Sequence, residues 1–366
     1  MGLPANKDSY KIWVFAPYLP SEDPAIRYYY DFTQSIAEYT KAFSDMGCEW
    51  EWVDVTTENF HAQIARVQSN LSKENIVLNL CDGDDVNGAP GVAVIHALEE
   101  AGLVYTGSEA YFYNITNSKI LMKQAFERNS VSTPRWIDLD KEHNPSLFKE
   151  VGQPLIVKPA ASAGSMGIGV KNVVSTQQEL DDIVQAMRKG YRGWKLDGAG
   201  IFAEQFIAGK EFTCFLVGSY THPDRIKFYT PVERIFNQAL PEKEQFLSFD
   251  RLWEFYEDEP MPNEEVFYEY AAVSAPRLLQ QLEQLSRLAF CSLKGTGYAR
   301  LDIRQDKQTG QLYVLEINAQ CGLSEDENFT STGAILRVSG IPFSELVMQI
   351  LEDALLRHKN KVPDPT

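Results

Sequence analysis

The stretch from Tyr298 to Gly322, Y-A-R-L-D-I-R-Q-D-K-Q-T-G-Q-L-Y-V-L-E-I-N-A-Q-C-G, constrains the fold more than any other part of the chain. Ala299, Leu301 and Ile303 alternate with Arg300, Asp302 and Arg304, and Tyr313, Leu315 and Ile317 alternate with Glu316 and Asn318. A period of two predicts two strands, and the polar, glycine-containing stretch between them predicts a hairpin. Side chains two residues apart share a face, so Arg300 with Asp302 and Glu316 with Asn318 project opposite the apolar face, and strand pairing brings the two sets together. Two carboxylates and an amide oxygen are hard ligands suited to magnesium, which shares its shell with water and phosphate. An arginine beside them suits a phosphate or a developing oxyanion. The same residues also fit the solvent face of an exposed hairpin, and the rest of the chain has to separate the two readings.

The chain has 366 residues, 44% of them hydrophobic, enough for two or three packed subdomains. A formal charge of −17, from 34 basic and 51 acidic residues, argues against general nucleic-acid binding and against attraction to an anionic membrane. The five cysteines (Cys48, Cys81, Cys214, Cys291, Cys321) are odd in number and widely spaced, which indicates neither a disulfide framework nor a zinc site and fits a reducing cytoplasm. No apolar run has the length of a signal peptide or a membrane span.

Lys11 to Pro17 reads as a first buried strand, Tyr29 to Met46 as a helix closed by Gly47, and Glu49 to Val55 as a second strand. Asn75 to Cys81 reads as a third strand that runs into the turn-rich loop Asp82 to Gly91, whose Asp82, Gly83, Asp84 and Asp85 fit a strand-end turn better than a metal loop. A helix over Val92 to Ala101, a strand over Leu103 to Gly107 and a helix over Asn117 to Arg128 continue an α/β alternation. Leu155 to Lys158 is a short strand opening into P-A-A-S-A-G-S-M-G-I-G-V, Pro159 to Val170. Its small residues let backbone N–H groups approach an anion, although it is neither a Walker A loop nor a Rossmann fingerprint and also fits a plain glycine-rich hairpin. Two strands follow around the Ala208-Gly209-Lys210 turn, and Phe236 to Tyr270, rich in proline and acid, reads as loop or lid. Leu278, Leu279, Leu282, Leu285 and Leu288 give a core-facing helix over Pro276 to Leu293, and a last helix spans Pro342 to His358.

In this order, L-I-V-K-P with its small-residue loop, A-E-Q-F-I-A-G-K-E-F-T, A-R-L-D-I-R and Y-V-L-E-I-N-A-Q-C-G resemble the ATP-grasp superfamily, and within it the D-alanine–D-alanine ligase-like branch, from Asn75 to Leu355. The resemblance implies an α/β (α+β) ATP-grasp fold: an N-terminal Rossmann-like pre-ATP-grasp domain over 1–113, a small central lid domain with the phosphate loop over 114–202 and a C-terminal catalytic domain with the metal site over 203–366. It implies that Lys119 and Lys158 bind ATP phosphates, with the loop at Gly164, Ser165 and Met166 closing over them. Glu204 and the backbone around Gln205 and Ile207 would meet the adenine and Glu211 the ribose, with Gln205 standing where a lysine is usual. Asp302, Glu316 and Asn318 would hold two magnesium ions, with manganese as a substitute, and Arg300 with the N–H of Gly322 would stabilise an oxyanion. A homodimer is compatible with the resemblance, as are small-molecule carboxylate and amine substrates.

Three departures argue against D-alanine as the substrate. The G-G-x-S-x-E segment expected after the first strand is A-P-Y-L-P-S-E-D here, leaving Glu22 as a substitute for its glutamate. The serine of the phosphate loop is replaced by Gly164. Glu325, Asp326 and Glu327 fall where a serine would hold the acceptor's carboxylate, which suggests a cationic acceptor or one without a carboxylate; a merely solvated acidic loop fits equally. The expectation is therefore an ATP-dependent carboxylate–amine ligase acting through an acylphosphate, with an ATP-grasp phosphotransferase or a non-catalytic nucleotide-binding module as alternatives. Cys321 is expected to be structural rather than nucleophilic.

Overall fold

The computed structural model describes residues 9–20, 22, 27, 30–83, 88–141, 146–161, 164–191, 195–253, 256–263, 266–328 and 330–359. Two of the four residues of the Asp82 cluster, Asp84 and Asp85, lie outside that set.

The N-terminal part is a parallel sheet in the order β2-β1-β3-β4, with β1 Tyr10–Pro17, β2 Glu49–Val55, β3 Glu74–Asn79 and β4 Val104–Tyr105. Near-continuous apolar runs such as Ile12 to Ala16 form its centre because both faces are covered, as in parallel sheets generally. One face meets α1, Thr33–Met46, whose Gly47 takes a left-handed φ of 67° and donates to the carbonyls of Phe43 and Ser44. The other face packs on α2, Phe60–Ser69, and α3, Val92–Glu100. The amphipathic period of α2 went unread in the sequence because the helix is short, ten residues, and no side chain caps its start.

After α4, Ala110–Thr116, and α5, Lys119–Arg128, comes a small antiparallel sheet in the order β5-β8-β6-β7: Trp136–Asp138, Ile201–Gln205, Leu155–Pro159 and Val173–Val174. Short α6, Leu147–Glu150, precedes β6, and α7, Gln177–Arg188, covers the sheet. The Thr176 hydroxyl and the Glu179 carboxylate form a reciprocal capping box at the start of α7. That T-x-x-E signal is visible in the sequence, where the helix was not expected.

The third sheet runs β12-β11-β9-β13-β14, with β10 also on β9. Its strands are β9 Gly209–Ser219, β10 Lys227–Phe228, β11 Val232–Phe236, β12 Tyr268–Ala272, β13 Thr296–Asp306 and β14 Leu312–Ala319. The two strands expected around Gly209 do not form a hairpin: β8 stays in the small sheet while β9 becomes a central strand of the large one. Gly209 permits the parting, since a Cβ there would lie 2.1 Å from the carbonyl oxygen of Gln305. Among its described residues the connection from β11 to β12 is mostly irregular, as expected, apart from a 3-10 turn at Glu242–Glu244 and a one-turn α8, Phe249–Leu252. α9, Pro276–Ser292, fills the apolar side of β9, β13 and β14, while α10, Ser331–Ser339, and α11, Phe343–Lys359, share a core with α1 and the N-terminal sheet. No single helix among the described residues is long and apolar enough to cross a membrane.

Candidate active site

The hairpin of β13 and β14 places Asp302 directly opposite Glu316 and Arg300 opposite Asn318, with a register shift just after Asp302. On the far side, β9 puts Thr213 opposite Asp302. The Thr213 hydroxyl donates to Asp302 Oδ1 at 3.1 Å, and Arg300 donates to Oδ2 at 3.1 Å. Asn318 donates to Glu316 Oε1 at 3.3 Å, and the Lys119 ammonium lies 3.1 Å from Oε2. This face is therefore not the solvent side of an exposed hairpin: Asp302 is only 6% exposed. Burial alone would raise the Glu316 pKa, but Lys119, Lys158 and Arg300 more than offset it and bring the carboxyl down to about 2. Burial likewise disfavours a charged Arg300, and the carboxylate of Asp302 outweighs it.

A second charged cluster adjoins the first. Lys119 and Lys123 sit one turn apart on α5, and the Ser118 hydroxyl caps that helix by accepting from the N–H of Leu121. Lys123 is fully buried, paired with Glu204 Oε2 and donating to the Thr133 hydroxyl at 2.9 Å. Lys158 on β6 donates to Glu204 Oε1 at 2.6 Å. Burial pulls the Lys123 pKa down against the attraction of Glu204, and burial pushes Glu204 up less than the two lysines bring it down. The carboxylate is thus held between two cations, Lys123 and Lys158, while Lys119 pairs with Glu316 of the hairpin. Lys123 was missed in the sequence, although its K-x-x-x-K spacing from Lys119 marks one helical face.

Glu211 on β9 is 4% exposed, with Oε1 on Arg234 and Oε2 2.9 Å from Arg304 Nε. Arg304 also donates to the carbonyl of Ile207 at 2.7 Å and to that of Gln245. Arg234 reaches the Thr213 hydroxyl at 3.3 Å, so the buried pair at Glu211 is tied to the partner of Asp302. Sequence reading missed Arg234, Arg304 and Thr213 because their roles depend on strand partners far away in the chain.

The small-residue loop turns through left-handed backbone at Gly164, Ser165 and Gly167, with φ of 55°, 61° and 72°. Asn172 pins it: its amide donates to the carbonyls of Val157 and Gly167 at 2.8 and 3.0 Å, and its oxygen accepts from the N–H of Gly169. Met166 packs into the core of the small sheet. The segment between β11 and β12 lies against this loop. The Trp253 indole donates to the Gly164 carbonyl at 3.0 Å, the N–H of Val170 donates to Glu259 at 2.6 Å, and the N–H of Phe249 donates to the Ile168 carbonyl at 2.8 Å. Arg251 pairs with Glu244 at 2.8 Å inside that segment.

The remaining candidates make other contacts. Glu22 is exposed. The Gln205 side chain accepts from Arg135 at 3.5 Å, and the Gln205 N–H continues the small sheet to Arg135. Gly322 is exposed just beyond β14, its carbonyl accepting from the Thr332 hydroxyl at 3.1 Å. Just beyond it the three consecutive acids each have a partner within the chain: Glu325 with Lys41 at 3.1 Å, Asp326 with Gln34 at 3.1 Å and Glu327 with Arg337 at 2.7 Å. Cys321 is buried, and burial pushes its thiol up to about 12, so it is no thiolate nucleophile near neutral pH.

Among the described residues no three His, Cys, Asp or Glu side chains converge as a self-sufficient metal cage. Asp302, Glu316 and the Asn318 amide oxygen nevertheless fit magnesium, whose shell leaves positions for water and phosphate oxygens.

Residues 124–352 match the family model described as D-ala D-ala ligase C-terminus. Relatives similar to this chain include a D-alanine–D-alanine ligase B of Xanthomonas campestris pv. campestris, 28% identical over 76% of this chain and 78% of the relative. Another is a D-alanine–D-alanine ligase of Polaromonas naphthalenivorans, 29% identical over 72% and 73%. The crystal structure of D-alanine–D-alanine ligase from Bacillus anthracis complexed with ATP has a similar fold, with a TM-score of 0.67 and 19% identity over 97% of this chain and 99% of that one. The family match spans the phosphate loop, Lys158 and the whole hairpin, and on it the chain belongs to the D-alanine–D-alanine ligase C-terminus family, the carbon–nitrogen ligases of ATP-grasp type.

Proposed function

We propose that this protein joins a small-molecule carboxylate to an amine at the expense of ATP, forming an amide or dipeptide-like bond through an acylphosphate. The observation that carries the reading is the facing of Asp302 and Glu316 across one rung of the hairpin, with Arg300 on Asp302 and Lys119 on Glu316. In this reading Asp302, Glu316 and Asn318 hold magnesium, which when bound neutralises charge on the phosphate oxygens. Lys119, Lys123 and Lys158 exchange part of their pairing with Glu316 and Glu204 for phosphate oxygens, and the backbone at Gly164, Ser165 and Met166 covers them. Glu204 and the backbone at Gln205 and Ile207 border the adenine. A ribose contact by Glu211 takes the place of one of its two arginine bonds.

The reaction balances as follows. A carboxylate oxygen of the donor attacks the γ-phosphorus, and the bond to ADP breaks. The amine nitrogen then attacks the acyl carbon, inorganic phosphate leaves with the C–O electron pair, and the nitrogen's proton passes to solvent. Arg300 and the N–H of Gly322 offer donors to the oxyanion between the last two steps, the role in which fixed donors lower a barrier most.

The cationic acceptor suggested by the acidic loop draws no support from the placement of that loop, since Lys41 and Arg337 already neutralise Glu325 and Glu327. The proposal is therefore for an amine acceptor, with D-alanine among the compounds to be offered because the curated relatives carry that name. The test is turnover with ATP and magnesium against pooled amino acids, polyamines and small carboxylates, reading ADP, phosphate and new masses together. Phosphate release with an adduct one water lighter than two pool members is the expected result. A pool member that gains a phosphoryl group without phosphate release makes the protein a phosphotransferase, and tight ATP binding without turnover makes it a binding module.

A further inference from the structure

Gln320 stands between Asn318 and Gly322, and nothing in its pattern singles it out. Its backbone is left-handed, φ 56°, in a residue that is not glycine, and its side chain is only 2% exposed. Such backbone persists in a bulky residue when the surroundings over-determine it. Here they do. Gln320 Oε1 accepts from the N–H of Ser108 at 2.7 Å, and Nε2 donates to the carbonyl of Asn79 at 3.1 Å. Asn79 ends β3 and Ser108 follows β4, so one amide bridges backbone groups released where two neighbouring strands of the parallel sheet stop. The chain has cleared room for it: a Cβ on Gly107 would lie 1.5 Å from Gln320 Oε1. Beside it Gly297 on β13 rests on the Gly107 carbonyl, where a Cβ would approach to 2.1 Å, and the Thr296 hydroxyl accepts from the N–H of Glu109 at 2.9 Å.

We propose that Gln320 is a positioning residue, clamping the Cys321–Gly322 backbone to the N-terminal sheet so that the Gly322 N–H points at the reacting carbonyl. The inference rests on the ligase reading for its catalytic consequence, and on the clamp geometry alone for its structural one. Two variants separate clamp from turn. Gln320→Gly suits the left-handed backbone and deletes both hydrogen bonds; Gln320→Met keeps the bulk and deletes them too. Two readouts are taken on each purified full chain: amide hydrogen exchange of peptides covering 318–328, with directly measured ATP affinity, and steady-state kinetics of the amide-forming reaction.

For both variants the expected result is faster exchange across 320–328, ATP affinity within about twofold of wild type, and a kcat lowered roughly 10- to 100-fold. Unchanged exchange in Gln320→Gly overturns the clamp whatever the reaction turns out to be, and this readout remains decisive if no ligase activity is found. Faster exchange with an unaltered kcat, or a kcat that falls only in step with ATP affinity, overturns the positioning role. If Gln320→Met fails to fold, Gln320→Gly decides by itself, because the turn it leaves is one glycine adopts freely.

Discussion

The carboxylates upstream and downstream of Gly322 differ in what surrounds them. Glu204, Glu211, Asp302 and Glu316 belong to strands, lie on buried faces and share oxygens among lysines and arginines. Glu325 and Glu327 belong to a loop, and their partners Lys41 and Arg337 have side chains 64% and 52% exposed. Both sets are acids paired with cations. In the first, low dielectric makes each pairing indispensable to its neighbours; in the second, water competes for every partner. The difference teaches that charge counted along the sequence says little about function until the strand register has put a lid on it.

The largest effect is expected where a buried cation would lose the anion it pairs with. Glu204→Gln keeps the shape but leaves Lys123 and Lys158 facing an amide, and should cost about 3–5 kcal/mol of stability. Equilibrium unfolding in urea measures it; a loss below about 1 kcal/mol would place Glu204 with the surface pairs and break the contrast. Next comes Asp302→Asn. Two hydrogen bonds remain possible to the amide, so the fold should survive, whereas metal affinity should fall by more than roughly 100-fold, beyond what the loss of an outer-shell partner usually produces. Titration with Mn2+ followed by its paramagnetic signal reads this without any substrate, and undiminished binding would remove Asp302 from the metal site.

How much of this was legible in the chain depended on distance. The hairpin was readable because alternation is local, and its facing residues followed from a period of two. Gly47 was readable as a helix end for the same reason. Lys123 and Glu204 were not paired in advance because one lies on a helix and the other on a strand of the small sheet, and no local pattern joins them. Glu211 was read as an open ribose ligand because the two arginines that enclose it come from strands on either side of β9. The left-handed Gln320 had no signal at all, since the backbone groups its side chain meets, at Asn79 and Ser108, lie far away in the chain.

A smaller effect concerns pH. The Glu316 carboxyl is lower in the folded protein, at about 2, than the roughly 4.3 of an unperturbed glutamate, so the unfolded chain binds the extra proton. Its contribution is therefore complete above the unfolded value and disappears as pH falls through the folded one. The stability gap between wild type and Glu316→Gln should be widest above about pH 5 and should close toward pH 2. A gap independent of pH across that window would mean that Lys119 does not sense the ionised carboxylate.

The smallest effect sharpens the comparison from its other side. Glu327 and Arg337 approach to 2.7 Å, yet their side chains are 37% and 52% exposed, and pairs of that kind contribute about 0–1 kcal/mol. Glu327→Gln should leave stability within that range and ATP affinity unchanged. Once an acceptor is identified, its KM should also be unchanged, because the charge removed was already spent on Arg337. A KM that rises severalfold for a cationic acceptor while kcat and ATP affinity hold would show ground-state binding lost at this position. The loop would then have to release Arg337 to bind substrate, and exposure rather than burial would be what lets a paired acid select a ligand.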